Sequence, residues 1–206
     1  MKVSLTNTGK RFNREWIFRH FSYEFHLGQS YAITGPNGSG KSTLLQAIAG
    51  ALMISEGEIY WSSADHSNIA PEDVFKKIAL AAPYLELIEE MTASELLDFH
   101  QQFKPLLQNI PIPEILQQVG LEAAAQKQIR YFSSGMKQRL KLAQAFFSDV
   151  PFLLLDEPCT NLDNAGIEIY HNLMNTYSKQ RLIIVSSNDL NEYGFCNEVI
   201  HIADFK

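Results

Sequence analysis

Cysteine is scarce in this chain: only Cys159 and Cys196 occur in 206 residues. They stand far apart and without metal-ligand spacing, which excludes a disulfide-stapled fold and a zinc pair and leaves two ordinary reduced thiols. Long apolar runs are also missing. Phe152–Leu155 comes nearest and is far shorter than a bilayer requires, so any work at a membrane needs spanning helices from another chain. The opening residues, Met1-Lys2-Val3-Ser4-Leu5-Thr6-Asn7, contain no apolar core of a secretory signal, and a cytoplasmic location is expected. Positive charge is in deficit, with 17 Lys and Arg against 23 Asp and Glu and a net charge of −6. This balance argues against a nucleic-acid binder, which would show a basic face, although it leaves room for a local basic patch; no nucleic-acid partner is expected. Repeats and low-complexity tracts are absent. The chain is 46% hydrophobic, enough for the core of one large domain or of one domain with an inserted sub-domain.

Against these absences stands one dense motif. Gly35-Pro36-Asn37-Gly38-Ser39-Gly40-Lys41-Ser42-Thr43 fulfils G-x-x-x-x-G-K-[ST] completely. Glycine and small residues let consecutive backbone N–H groups curl around an anion. Lys41 adds a point charge for the outer phosphates, and the Ser42 hydroxyl can hold Mg2+. Gln29–Thr34 reads as a strand entering the loop and Lys41–Leu52 as a helix leaving it, with its N-terminus toward the phosphates. ATP and Mg2+ are the ligands this pattern calls for.

The surrounding chain reads as mixed α/β. Residues 2–6, 16–25 and 29–34 carry strand-like Val, Ile, Tyr and Phe, and Glu58–Trp61 and Ile78–Ala82 are further short strands. From about Tyr84 the pattern turns helical, broken by Pro105, Pro111, Pro113 and Gly120. Thr92-Ala93-Ser94-Glu95 is a capping box, after which Leu96, Phe99, His100 and Phe103 form one helical stripe. A helical sub-domain inserted at about 84–148 is predicted. Phe152–Asp156 and Arg181–Ser186 are buried, parallel strands, separated by a helix over Asn164–Lys179.

Two further constellations bear on chemistry. The strand Phe152–Leu155 ends in Asp156-Glu157, an expensive place for two carboxylates unless a cation or a reaction uses them. Asp156 is suited to hold Mg2+ beside Ser42, and Glu157 to act as general base toward an attacking water. Phe132-Ser133-Ser134-Gly135-Met136 opens a second helix whose positive end can be capped by Ser133 or Ser134. This second phosphate-ready helix start suggests the nucleotide of another protomer.

Taken in order along the whole chain, these motifs resemble the nucleotide-binding domain of the ATP-binding cassette (ABC) family. Gly35–Thr43 matches its Walker A loop, Phe132–Met136 its signature LSGGQ, Phe152–Glu157 its Walker B strand with catalytic glutamate, and Asn161-Leu162-Asp163 its D-loop. The resemblance implies a RecA-like P-loop NTPase core with an antiparallel β sub-domain and an inserted helical sub-domain. It implies a head-to-tail dimer that sandwiches ATP between one Walker A loop and the partner's Ser133, Ser134 and Gly135. It also implies an aromatic residue stacked on adenine, best matched by Phe12, with Trp16 as the alternative.

The sequence departs from the family pattern in three places. After Ile78–Ala81 the segment Ala82-Pro83-Tyr84-Leu85-Glu86 has no glutamine where the family has one. After Leu182–Val185, Asn188 takes the place of the switch histidine; its amide can donate to a terminal phosphate but cannot carry a proton. In the signature, Ser134 replaces a glycine and Met136 a glutamine. The expectation is an ATPase subunit, slowed by Asn188, that drives a separate transmembrane permease from the inner face of the membrane. The alternatives are a soluble ABC ATPase of the iron–sulfur scaffold type and a regulatory nucleotide-binding cassette.

Overall fold

The computed structural model describes residues 1–63 and 67–206. In chain order the strands are β1 (Lys2–Phe12), β2 (Glu15–His26), β3 (Ser30–Thr34), β4 (Glu56–Ser62), β5 (Asn68–Ile69), β6 (Ile78–Ala81), β7 (Phe152–Asp156), β8 (Leu182–Ser186) and β9 (Glu198–His201). The α-helices are α1 (Lys41–Ile48), α2 (Ala93–Gln101), α3 (Ile112–Gln118), α4 (Ser134–Phe147), α5 (Asn164–Tyr177) and α6 (Leu190–Tyr193). The backbone divides into two compact units, one of Met1–Ile78, Pro151–Asp156 and Gln180–Lys206, the other of Ala79–Val150 and Glu157–Lys179.

The first unit holds two kinds of sheet, and burial explains each. In β1 and β2, Val3, Leu5, Phe18, Phe21 and Phe25 are buried while neighbours between them reach solvent, the signature of an antiparallel sheet covered on one face. These strands pair with β4 and β5 in the order β2-β1-β4-β5. By contrast every residue of β3, β7 and β8 is buried, as parallel strands covered on both faces must be. They run parallel in the order β7-β8-β3-β9, with Asp156 level with Ser186 and Ser186 level with Ile33. Aromatic rings join the two sheets, Phe25 of β2 meeting Tyr31 of β3 edge-on at 5.0 Å, and Phe21 lies 4.6 Å from Phe205 in the turn after β9. Trp61 anchors α1 by donating its indole N–H to the Ile48 carbonyl at 2.8 Å.

The second unit is predominantly helical, and β6 carries the chain into it. The capping box at Thr92 forms as the sequence predicts: the hydroxyl accepts from Glu95 N–H at 3.2 Å, and the Glu95 carboxylate accepts from Thr92 N–H at 2.8 Å. The stripe of α2 differs from the predicted one. Ala93, Leu96 and Leu97 are buried, whereas Phe99 is 42% and Phe103 64% exposed. The helix stops at Gln101, so Phe103 lies beyond the last turn, where 3.6-residue spacing no longer governs direction, and it packs edge-on against Phe99 at 5.0 Å. Pro111 caps α3, and Gly120, at φ 63°, ends it.

His100 is the unit's one strongly shifted imidazole among the described residues. The Ser148 hydroxyl donates to the Gln144 carbonyl at 2.6 Å, so His100 Nε2–H donates to Ser148 Oγ at 2.9 Å. Burial, reinforced by the positive charge of Lys104, lowers its pKa to about 4. Folding therefore excludes a proton that the unfolded chain takes up near pH 6.5. The neutral ring's contribution is complete above that value and is lost as pH falls toward 4. Melting temperatures measured from pH 7 to 4.5 should fall more steeply for the wild type than for His100→Gln; parallel curves would remove His100 from the acid response.

Candidate functional site

The loop between β3 and α1 is shaped by contacts that only glycine permits. A Cβ on Gly40 would lie 2.4 Å from Ile17 Cγ2, and one on Gly35 would lie 2.9 Å from both Ile202 and the Ser39 hydroxyl. Gly40 also holds φ 105°, outside the range of ordinary side chains. A tight turn, Ser39 N–H to Pro36 carbonyl at 3.0 Å, closes the loop on itself.

Three features make this loop a receptor for anions. Lys41 is 5% exposed and its ammonium crosses the loop to donate to the carbonyls of Gly35 at 2.8 Å and Pro36 at 3.4 Å. The start of α1 carries no side-chain cap and no acid in its first turn, so its positive end is not quenched by the protein. The Ser39 hydroxyl is buried without a hydrogen-bond partner among the described residues, a polar atom whose desolvation they do not offset. A nucleotide's phosphates fit this donor set. Ser42, in the first turn of α1, and Asp156, at the end of β7, supply the oxygen donors that a hard cation such as magnesium takes, phosphate and water oxygens making up the rest.

The turn after β8 is fastened to this loop. Asn188 Oδ1 accepts the Gly35 N–H at 3.0 Å. That bond fixes the amide's orientation: the oxygen is committed to the loop and the NH2 is the end left to donate. The turn itself is held by Ser187 N–H to the Ile33 carbonyl at 3.1 Å and by Asp189 N–H to Ser187 Oγ at 2.9 Å. Ser186, just before it, is a residue that sequence reasoning did not single out. It is fully buried, level with Asp156, and its hydroxyl has no hydrogen-bond partner among the described residues. The first of two serines closing the apolar run Leu182–Val185 is its signal.

Phe12 and Trp16 differ in availability. Phe12 is 47% exposed, with the Lys10 ammonium 4.8 Å from its ring. The Trp16 ring already carries two guanidinium groups, Arg19 at 4.4 Å and Arg11 at 5.5 Å.

The second unit contains the other residues singled out by sequence. Glu157 adopts φ 42°, a strained conformation for a non-glycine residue, and Thr160 Oγ1 donates to its carboxylate at 3.4 Å. Ser133, rather than Ser134, caps α4 by accepting Met136 N–H at 3.2 Å. Ser134 and Gly135 form the first turn behind it. Gly135 packs so closely that a Cβ would approach the Asn161 carbonyl at 2.9 Å, and the buried Gln138 amide donates to the Pro158 carbonyl at 2.8 Å. The Pro158–Asp163 segment is thereby tied to the start of α4. Where the family glutamine is missing, Lys141 donates to the carbonyls of Ala82 at 3.2 Å and Pro83 at 2.8 Å. Beside them lies a cleft of about 690 Å3 lined by Leu85, Leu87, Ile88, Glu86, Glu89 and Lys137.

The family model described as ABC transporter matches residues 18–160, from the second strand through the Asp156-Glu157 pair. The chain belongs to the ABC transporter family. It is an ATP-binding, ATP-hydrolysing transporter subunit with the mixed α/β cassette fold. It is 30% identical over 203 residues to the uncharacterized ABC transporter ATP-binding protein YybJ of Bacillus subtilis, covering 98% of this chain and 89% of that one. It is 30% identical over 186 residues to the cytochrome c biogenesis ATP-binding export protein CcmA of Haemophilus influenzae, covering 89% and 87%. Among solved structures, the dimeric post-hydrolysis state of the cassette MJ0796 bound to ADP and Pi superposes with a TM-score of 0.82 at 25% identity, over 97% of this chain and 94% of that one.

The glycine-only contacts make a clear expectation. Gly40→Ala should lower the urea unfolding free energy by about 1–3 kcal/mol, the usual range for overpacking, and should abolish retention of ATP. Unchanged stability together with unchanged ATP binding would show that the loop tolerates a side chain there.

Proposed function

We propose that this chain is the nucleotide-hydrolysing cassette of a transporter whose membrane-spanning permease is a separate chain, and that it works in the cytoplasm at the membrane's inner face. The observation that carries the reading is the phosphate loop: a buried lysine, an uncapped helix start and an orphaned hydroxyl converge where a triphosphate's charge would lie. No helix among the described residues is long and apolar enough to cross a membrane.

In this reading the residues divide the work. The amides of Gly38, Ser39, Gly40, Lys41, Ser42 and Thr43, with Gly35, Pro36 and Asn37 shaping the turn, bind the phosphates. Lys41 exchanges its two carbonyl partners for phosphate oxygens. Ser42 and Asp156 hold magnesium, which when bound neutralises phosphate charge and orients the chain of oxygens. Phe12 stacks on the adenine, because the Trp16 ring is already engaged by arginines. Glu157 takes the proton of the attacking water as general base. Asn188 donates its NH2 to the terminal phosphate while its oxygen stays on Gly35. Ser133, Ser134 and Gly135 at the start of α4 face the nucleotide of a second copy, or of a paired cassette, in a head-to-tail dimer. ATP favours the closed pair and hydrolysis releases it, a population shift set by differential affinity for the two forms. The dimeric MJ0796 cassette bound to ADP and Pi supports this arrangement, and the transporter subunits among the relatives support a permease partner.

Steady-state turnover tests the division of labour. Glu157→Gln should retain ATP but lose hydrolysis, by roughly 100-fold or more if the carboxylate is the general base. Asn188→His should raise turnover, since an imidazole adds a titratable donor that an amide lacks. Unchanged rates in Glu157→Gln would remove that residue from the base role, and no gain in Asn188→His would mean that another group limits the rate.

A further inference from the structure

Every residue of β8 is buried, and four of its five are aliphatic; the exception is Ser186 at its C-terminal end. Ser186 is fully buried, yet its hydroxyl makes no hydrogen bond among the described residues. A buried hydroxyl without a partner is destabilising, and in a strand otherwise built from Leu, Ile and Val a small apolar residue would serve the fold better. The placement suggests what the hydroxyl is for. Strand β8 lies between β7 and β3, so Ser186 is level with Asp156 on one side and with Ile33 on the other, two residues before the first glycine of the phosphate loop. Residues level with one another on adjacent strands project to the same face of a sheet. Ser186 and Asp156 therefore share a face at the C-terminal edge of the parallel strands, the edge where open α/β sheets bind their ligands.

We propose that Ser186 is a positioning residue for hydrated magnesium: its hydroxyl takes a hydrogen bond from, or gives one to, a water of the metal's shell beside Asp156. Magnesium keeps several waters when bound by one or two protein oxygens, and those waters need second partners. Ser186 is the hydroxyl level with Asp156 that has no hydrogen bond among the described residues, and the inference rests on the reading that this site holds ATP with magnesium. A neutral hydrogen bond of this kind corresponds to a roughly 2- to 10-fold effect on affinity. It has no bearing on how ATP binds without the metal.

The test is equilibrium binding of ATP to the full chain, with magnesium and with EDTA, together with the melting temperature of the nucleotide-free protein. Ser186→Ala should leave ATP affinity in EDTA and the melting temperature unchanged, or raise the latter, while weakening the magnesium-dependent gain in affinity roughly 2- to 10-fold. Ser186→Thr, which keeps the hydroxyl, should restore the gain. A lower melting temperature in Ser186→Ala with an intact magnesium-dependent gain would overturn the proposal and make the hydroxyl structural. Intact magnesium dependence at unchanged stability would overturn it equally. A wild-type protein with no magnesium-dependent gain at all would instead refute the parent reading of the site, so the two failures are distinguishable.

Discussion

The structure of the phosphate loop depends on a steric constraint: two glycines whose missing side chains leave room for neighbouring chain. Gly40 lies against Ile17 and Gly35 against Ile202 and Ser39, closer than any Cβ could approach. These contacts bring the antiparallel strand β2 and the C-terminal turn up to the loop. Lys41, lying across the curl on two carbonyls, keeps a cation at the loop's centre before any ligand arrives. Preorganisation of this sort limits the entropy lost when a nucleotide binds.

Around the loop, the parallel strands act as a bracket. Because β3, β7 and β8 are buried on both faces, their register is fixed by packing, and the polar residues at their C-terminal ends are held in fixed positions. The bond from Gly35 N–H to Asn188 extends the bracket from β8 onto the loop itself. One side chain thus links the strand that would sense the terminal phosphate to the residue at which the cradle begins. A histidine at 188 could make a similar acceptor contact only in its neutral form. The amide makes it at any pH, at the expense of proton chemistry.

Much of this was legible in the sequence where local rules suffice. The strand–loop–helix around Gly35–Thr43, the capping box at Thr92, the strand Phe152–Asp156 and the parallel partner ending at Ser186 were all readable from motif, cap chemistry and apolar runs. What escaped depended on three-dimensional neighbours. Phe103 sits at helical spacing but past the point where α2 ends, and Phe99, inside the helix, lies exposed against it. The choice between Ser133 and Ser134 as cap turned on where α4 begins. The direction of the Asn188 amide, and the isolation of the Ser186 hydroxyl, follow from strand order and register, which no local window contains.

The account's central claim is that this one cradle grips a nucleotide through the Lys41 charge and the start of α1. Isothermal titration of the purified full chain with ATP and magnesium tests it most directly, with Lys41→Met as the comparison. The account predicts saturable binding of one ATP per chain in the wild type and its loss, by at least about 100-fold in affinity, when the buried cation and its charge-assisted hydrogen bonds are removed. Absence of binding to the wild type, or equal binding to both proteins, would contradict it.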